Sequence, residues 1–285
     1  MTGKVGPPAD RENVSTGGSL ISDAKLKQLY VSMVQCRLLT ERASRLRAPS
    51  KGLYSASMGQ EAIAAGCTID LRPEDTIAMT ANDSIASLVK GVPLGELIGQ
   101  LYARASSSAD AGSAELAVAA ALENKRRKKS SVVVAFAGVA QRKVSSWTEA
   151  LRFAARRKLP IIFVVNNNPW ASLTPPEEND FAQWARSYGL TGISVDGNDV
   201  VAVYRVAHES LDRVRQGDGP VLVEGKRYST SNAQKVSRAL RDPLHHMERY
   251  LTAKKLFSER WKQKVVADFS KQLDTAVKTA REAKA

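Results

Sequence analysis

The sequence predicts a doubly wound α/β fold: one mostly parallel sheet with helices on both faces. Three observations carry that expectation. Two near-continuous apolar runs, Ser131 to Phe136 and Leu159 to Val165, are rich in β-branched residues, as are strands covered on both sides. A helical stretch, Ser146 to Arg157, separates them, which is the crossover a parallel pair needs. The alternation then repeats: helix Phe181 to Tyr188, strand Gly192 to Val195, helix Asp199 to Arg215, strand Pro220 to Gly225. At 285 residues the chain is long enough for one large domain with a substantial core.

Taken in order, residues 1–20 are polar and rich in Gly, Pro and Ser, and are expected to form a flexible N-terminal arm. They lack the apolar stretch of a secretory signal, so the expected location is cytoplasmic. Residues 21–255 form the predicted main domain, and 256–285 a charged C-terminal helix with one face on the body. The domain opens with a helix from Ser22 to Arg47, capped by Ser22, whose apolar positions Leu26, Leu29, Tyr30, Met33 and Val34 follow helical spacing. A second helix, small-residue rich, is expected from Gly59 to about Ile69, and a short strand from Thr76 to Met79. Asp83 to Lys90 and Leu94 to Arg104 read as helices punctuated by Gly91-Val92-Pro93. Ala105 to Gly112 reads as a loop, and Ser113 to Glu123 as an alanine-rich helix suited to close packing. Pro243 to Ala253 and Ser258 to Lys284 are the closing helices.

The two cysteines, Cys36 and Cys67, fall in helical stretches without metal-type spacing and are expected as core thiols. The formal charge is +13, and the densest basic run is Lys125 to Lys129. No aromatic residue interleaves with that run, so a solvated helix-to-strand connection is expected in preference to nucleic-acid binding. No apolar run is long enough to span a membrane.

In a parallel α/β sheet, ligands bind beyond the carboxyl ends of the strands. Two such ends are legible: Ala137-Gly138-Val139-Ala140 and Asn166-Asn167-Asn168-Pro169-Trp170. Three consecutive amides either meet a polar ligand or form local backbone turns. Asp196-Gly197-Asn198-Asp199 reads as a turn followed by a helix N-cap. Gly59-Gln60-Glu61 reads as a buried helix start. The three histidines, His208, His245 and His246, are expected as surface or capping residues.

Lys158 to Asn168, preceded by Glu149-Ala150-Leu151, resembles the α subunit of the thiamine-diphosphate-dependent 2-oxo acid dehydrogenases, of the pyruvate and branched-chain type. Collinear strings extend that resemblance over residues 22–255. They are Gly59-Gln60-Glu61-Ala62, Lys90 to Pro93, Val195 to Val200, Gly219-Pro220 with Glu224, and Arg241-Asp242-Pro243. The resemblance implies the thiamine-diphosphate-binding fold. It also implies oxidative decarboxylation of a 2-oxo acid with acyl transfer to lipoamide, and a β-type subunit as partner. Self-association is expected as well, with the alanine-rich helix as a packing face; a membrane or nucleic-acid partner is not.

Thiamine diphosphate and magnesium are implied by the resemblance alone. The family's motif is Gly-Asp-Gly after one strand and Asn-Asn after the next, because magnesium takes a carboxylate, an amide oxygen and a backbone carbonyl. Here the first motif reads Gly138-Val139-Ala140. Gly138, Asn167 and Asn168 match cofactor-binding positions, and Asn168 with the Trp170 carbonyl matches the metal ligands, as vestiges. A unit-charge contact near 4 Å is worth roughly 4 kcal/mol at an effective dielectric of 20 before desolvation, which is about a thousandfold in affinity at most. The family's Tyr-Arg-acid-His becomes Ala81-Asn82-Asp83-Ser84, its cofactor-covering segment is shortened to Arg104–Ser113, and its Gly-His-Ser is absent after Gly225. No catalytic residue is assigned. The expectation is a non-catalytic scaffold or regulatory subunit. Two alternatives remain: an active enzyme with ligands rewired to Asp83 or Glu149, or a basic module binding anions or nucleic acid.

Overall fold

The computed structural model describes residues 21–46, 59–78, 84–104, 114–138, 145–167, 180–227 and 242–282. Within them lies a five-stranded sheet in which every pairing is parallel. The strands are β1 (Thr76–Ala78), β2 (Val133–Gly138), β3 (Ile161–Asn167), β4 (Thr191–Asp196) and β5 (Val221–Lys226), in spatial order β1-β2-β3-β5-β4. The described helices are α1 (Asp23–Leu46), α2 (Glu61–Thr68), α3 (Ser84–Lys90), α4 (Leu94–Arg104), α5 (Ala114–Arg126), α6 (Ser145–Arg157), α7 (Phe181–Arg186), α8 (Val200–Gln216), α9 (Pro243–Ala253) and α10 (Glu259–Glu282). The doubly wound architecture predicted from the sequence is therefore present.

The apolar runs explain the layering. Successive strand side chains point to opposite faces. Val134 and Phe136 of β2 and Ile162 and Val164 of β3 meet α1, α2, α3, α4, α8 and α10 on one face. Val133, Ala135, Ile161 and Phe163 meet α5, α6 and α7 on the other. A third cluster joins the first half of α1 to α2, the start of α8, and α9, around Leu26, Leu29, Tyr30 and Met33. Cys36 and Cys67 are buried free thiols. Burial raises both thiol pKa values, that of Cys67 to about 12, so they are inert core residues.

Helix starts follow cap chemistry. The Ser22 hydroxyl accepts from the Lys25 N–H at 3.2 Å. Asp180, Asp199 and Asp242 cap α7, α8 and α9 through their carboxylates, each satisfying backbone donors left over at a helix start. The Asp196 to Asp199 segment is the turn and cap expected of it.

One element differs from the sequence reading. Helix α5 runs on to Arg126, so the basic run begins inside the helix rather than after it; Lys and Arg there complement the negative end of the helix dipole. The C-terminal helix α10 packs one face on the body, as expected, and that face joins the main core. Phe269, Leu273 and Val277 lie in the same cluster as β2 and β3. The Ala105 to Gly112 loop and the N-terminal arm lie outside the described residues. No helix among the described residues is long and apolar enough to cross a membrane.

One glycine fixes the seat of α7. A Cβ built on Gly192 of β4 would stand 2.0 Å from the Ala182 carbonyl oxygen. That obstacle is backbone, so α7 and β4 must separate to admit a methyl group. Gly192→Ala is expected to cost about 1–3 kcal/mol by overpacking, measurable as a lowered urea midpoint; an unchanged midpoint would contradict the contact.

Candidate functional site at the strand ends

Strand register brings a polar edge together at the carboxyl ends. Gly138 of β2 pairs with Asn166 of β3, Asn167 pairs with Lys226 of β5, and Asp196 of β4 pairs with Lys226. This is the edge at which ligands of parallel sheets bind.

The two described asparagines are tied to the protein. Asn167 is 1 % exposed, and its amide donates to Glu224 Oε1 at 2.6 Å. Glu224 is fully buried directly after the apolar Val221–Val223 run. Its other oxygen accepts from the Ser194 hydroxyl at 2.5 Å and the Ala182 N–H at 3.2 Å, with Lys226 Nζ at 3.8 Å. One carboxylate thus ties β3, β4 and the start of α7 to β5. An ionised carboxylate without such donors would be costly to bury. Asn166 accepts on Oδ1 from Arg227 Nε at 2.7 Å, and the Arg227 N–H donates to the Asn167 carbonyl at 2.8 Å. Neither Asn166 nor Asn167 forms a turn: both complete β3.

A second polar layer covers β4 and β5. Helix α2 is buried along its whole length. Its Ile63 comes so close that a Cβ on Gly225 would stand 2.4 Å from Ile63 Cδ1; only glycine admits that approach. Glu61, at the start of α2, is 0 % exposed and accepts from Arg37 Nε at 2.5 Å. The Arg37 guanidinium also grips Asp242 through both terminal nitrogens, at 3.2 and 2.9 Å. Burial alone would lower the Arg37 pKa; Glu61 and Asp242 outweigh it and raise it. For Arg227, burial dominates and lowers the pKa, with Glu61 opposing. Gly59-Gln60-Glu61 is therefore a buried helix start, as read, but it also carries a charge network that the sequence did not announce.

Gly138 and Asn167 lie together at this edge, as the sequence placed them. Val139, Ala140, Asn168 and Trp170 lie outside the described residues, as do Asp83 and the Tyr228 to Asn232 stretch. Glu149, considered as a substitute ligand, sits on α6 with its side chain 68 % exposed and pairs with Arg152 at 3.5 Å. It lines a groove against α5, with Val118, Leu122 and Phe153. Among the described residues, no three His, Cys, Asp or Glu side chains form a group that could hold a metal ion.

His208 is more than a surface residue. It stacks on Tyr204, and its Nδ1 lies 2.9 Å from Asp70 Oδ2, where Lys25 and the Tyr204 hydroxyl also converge on Asp70 at 2.8 Å each. That cluster links α1 to α8. His245 and His246 lie partly buried in the first turn of α9.

Sequence reasoning missed Arg37 and Arg227 as members of this edge; Asn166 was read at the strand end with its two neighbours. Glu224 did leave a signal: a lone acid within Val-Leu-Val-Glu is out of place in a strand buried on both faces.

A family model described as the dehydrogenase E1 component matches residues 30–285. The match continues past residue 255, where the recognisable strings stop, and takes in α10. The 3-methyl-2-oxobutanoate dehydrogenase subunit alpha of Mycobacterium tuberculosis is 33 % identical over 279 residues, covering 87 % of this chain and 76 % of the relative. The pyruvate dehydrogenase E1 component subunit alpha of Bacillus subtilis is 29 % identical over 91 % of this chain and 79 % of its own. A chloroplastic pyruvate dehydrogenase E1 component subunit alpha-3 of Arabidopsis thaliana is 27 % identical over 95 % of this chain and 74 % of its own.

Proposed function

Because this chain belongs to the dehydrogenase E1 component family, we propose that it serves as an α-type subunit that has kept the assembly fold and lost tight cofactor binding. The observation that carries this reading is Val139. It stands in the motif position where a family member offers magnesium a carboxylate, directly after Gly138 at the end of β2. A hydrophobic side chain cannot replace a hard oxygen donor.

In this reading the donor set does not fit a magnesium–diphosphate group. Of the buried carboxylates that the described residues bring to this edge, Glu224 is engaged by Asn167, Ser194 and Ala182, and Glu61 gives one oxygen to Arg37 while its other buried oxygen accepts no hydrogen bond. Freeing either would break a buried network, and a shared buried network is costly to leave half satisfied. Asn168 and Trp170 remain as vestiges of the metal site and Gly138 and Asn167 of the cofactor site. No step of 2-oxo acid decarboxylation is assigned to this chain. Its role is that of a scaffold or regulatory subunit docking a β-type partner, in the cytoplasm.

Titration calorimetry tests the cofactor half of this reading. Thiamine diphosphate with magnesium is expected to give no saturable heat at submillimolar concentration; saturable micromolar binding, weakened by Asn168→Ala, would show instead a working site. The partner half is tested by co-expression with β-type dehydrogenase subunits. A stable hetero-oligomer on size exclusion is expected, and a chain that stays free of every β-type subunit offered would count against it.

A further inference from the structure

We infer that the end of the sheet opposite the candidate site is a docking surface for an acidic polypeptide segment. Helices α5 and α6 pack side by side on one face of the sheet, and both end where β2 and β3 begin. Two basic runs that lie apart in the sequence, Lys125 to Lys129 and Arg156 to Lys158, are thereby delivered to one place, and all eight side chains are exposed. They are joined physically: Lys125 Nζ donates to the carbonyls of Arg157 and Lys158. The adjacent acid Glu123 is already paired with Arg127.

Backbone conformation fixes where two of these charges sit. Lys128 and Lys158 hold φ of 53° and 45°, in the left-handed region, where each helix gives way to its strand. That position ordinarily falls to glycine, because a side chain there is strained. Lys255, after α9, holds φ of 59° as well, so the conformation recurs at this chain's helix ends; at Lys128 and Lys158 it sets a charge on the patch where glycine would offer none.

An acidic peptide fits better than a nucleic acid. Neighbouring helix axes lie about 8–10 Å apart, so the patch is one extended segment wide and offers no groove for a duplex. Phe153, the aromatic side chain near it, is partly buried and covered by the Arg157 guanidinium, leaving no stacking platform for bases. Arginine forks and lysine point charges both pair with carboxylates. This surface is remote from the strand carboxyl ends, so it does not depend on whether the cofactor site works.

The test uses the full chain and a fluorescein-labelled peptide of alternating Glu and Ser, followed by anisotropy. Binding is expected at low ionic strength and should weaken at least tenfold by about 0.3 M salt, where screening is short-ranged. The double variant Lys128→Gly/Lys158→Gly relieves the strained backbone, so its melting temperature should rise while peptide affinity falls about tenfold, at two- to fivefold for each charge removed. Arg126→Glu/Lys129→Glu should abolish binding. The inference is overturned if the peptide does not bind at low salt, if either variant binds it as tightly as the parent, or if a duplex RNA of equal charge binds more tightly than the peptide.

Discussion

Replacing Arg37 by methionine is expected to lower the unfolding free energy by about 3–5 kcal/mol, the cost of removing one partner from a buried ion pair. The guanidinium stands between Glu61, fully buried, and Asp242, and it is itself only 16 % exposed. Methionine fills similar volume, so little cavity is added. What remains is a carboxylate on α2 without its hydrogen-bonded cation, with only the Arg227 charge still acting on it, and a cap on α9 without its grip. Glu61 is fully buried, so losing its donor loosens the seat of α2 on the strand ends. Urea denaturation with fixed slope measures the effect. A loss below about 1 kcal/mol would place this pair among surface ion pairs, which are worth little. Adding Glu61→Gln to the variant should restore part of the loss by removing the stranded charge.

Asp75→Asn should have the second largest effect, about 2–4 kcal/mol at neutral pH. Asp75 is a fully buried side chain that accepts two contacts from Arg215, at 3.0 and 2.5 Å, and two backbone N–H groups, from Val132 and Arg72. It ties the end of α8 to the start of the sheet. Asparagine keeps one acceptor and turns its amide nitrogen towards a cation. Burial acts to raise the Asp75 pKa, but Arg215 and the backbone donors prevail and lower it. Asp70 and Asp242 are lowered in the same way, by Lys25 with Tyr204 and by Arg37. A carboxylate whose folded pKa is depressed stabilises the fold fully above its unfolded pKa, near 4, and loses that contribution as pH falls through the folded value. The parent should therefore hold its stability down to about pH 5 and lose it steeply below about pH 4. The variant should fall less, so that the two curves converge in acid; curves that stay parallel would exclude Asp75 as a titrating contributor.

Most of the fold was legible because its signals are local. Val133 to Ala137 and Ile161 to Val165 could be read from hydrophobic continuity, and the caps at Ser22 and Asp199 from residue type. The end of α5 was misplaced by a few residues, because Lys125 and Arg126 are good helix formers that also read as loop charge. The candidate site was only partly legible. Gly138 and Asn167 were found because they end strands. Arg37 was not, because its partners stand 24 and 205 positions away, and nothing in a helix around Cys36 to Leu39 announces them. Arg227 meets Asn166 across 61 positions. Such pairs exist only once the sheet has brought distant segments to one edge. The buried Glu224 shows the converse: a residue at odds with its local pattern betrays a tertiary partner before that partner is known.

The strand order has a consequence for biogenesis. The last strand to be synthesised among the described residues, β5, is not at the margin but sits between β3 and β4. A nascent chain that has emerged only as far as Gly219 leaves β3 with an open edge and β4 with no strand to pair with. Bridging the two demands a long-range insertion, the slow and aggregation-exposed kind of step. Truncation before Val221 should therefore yield insoluble material rather than a smaller folded unit.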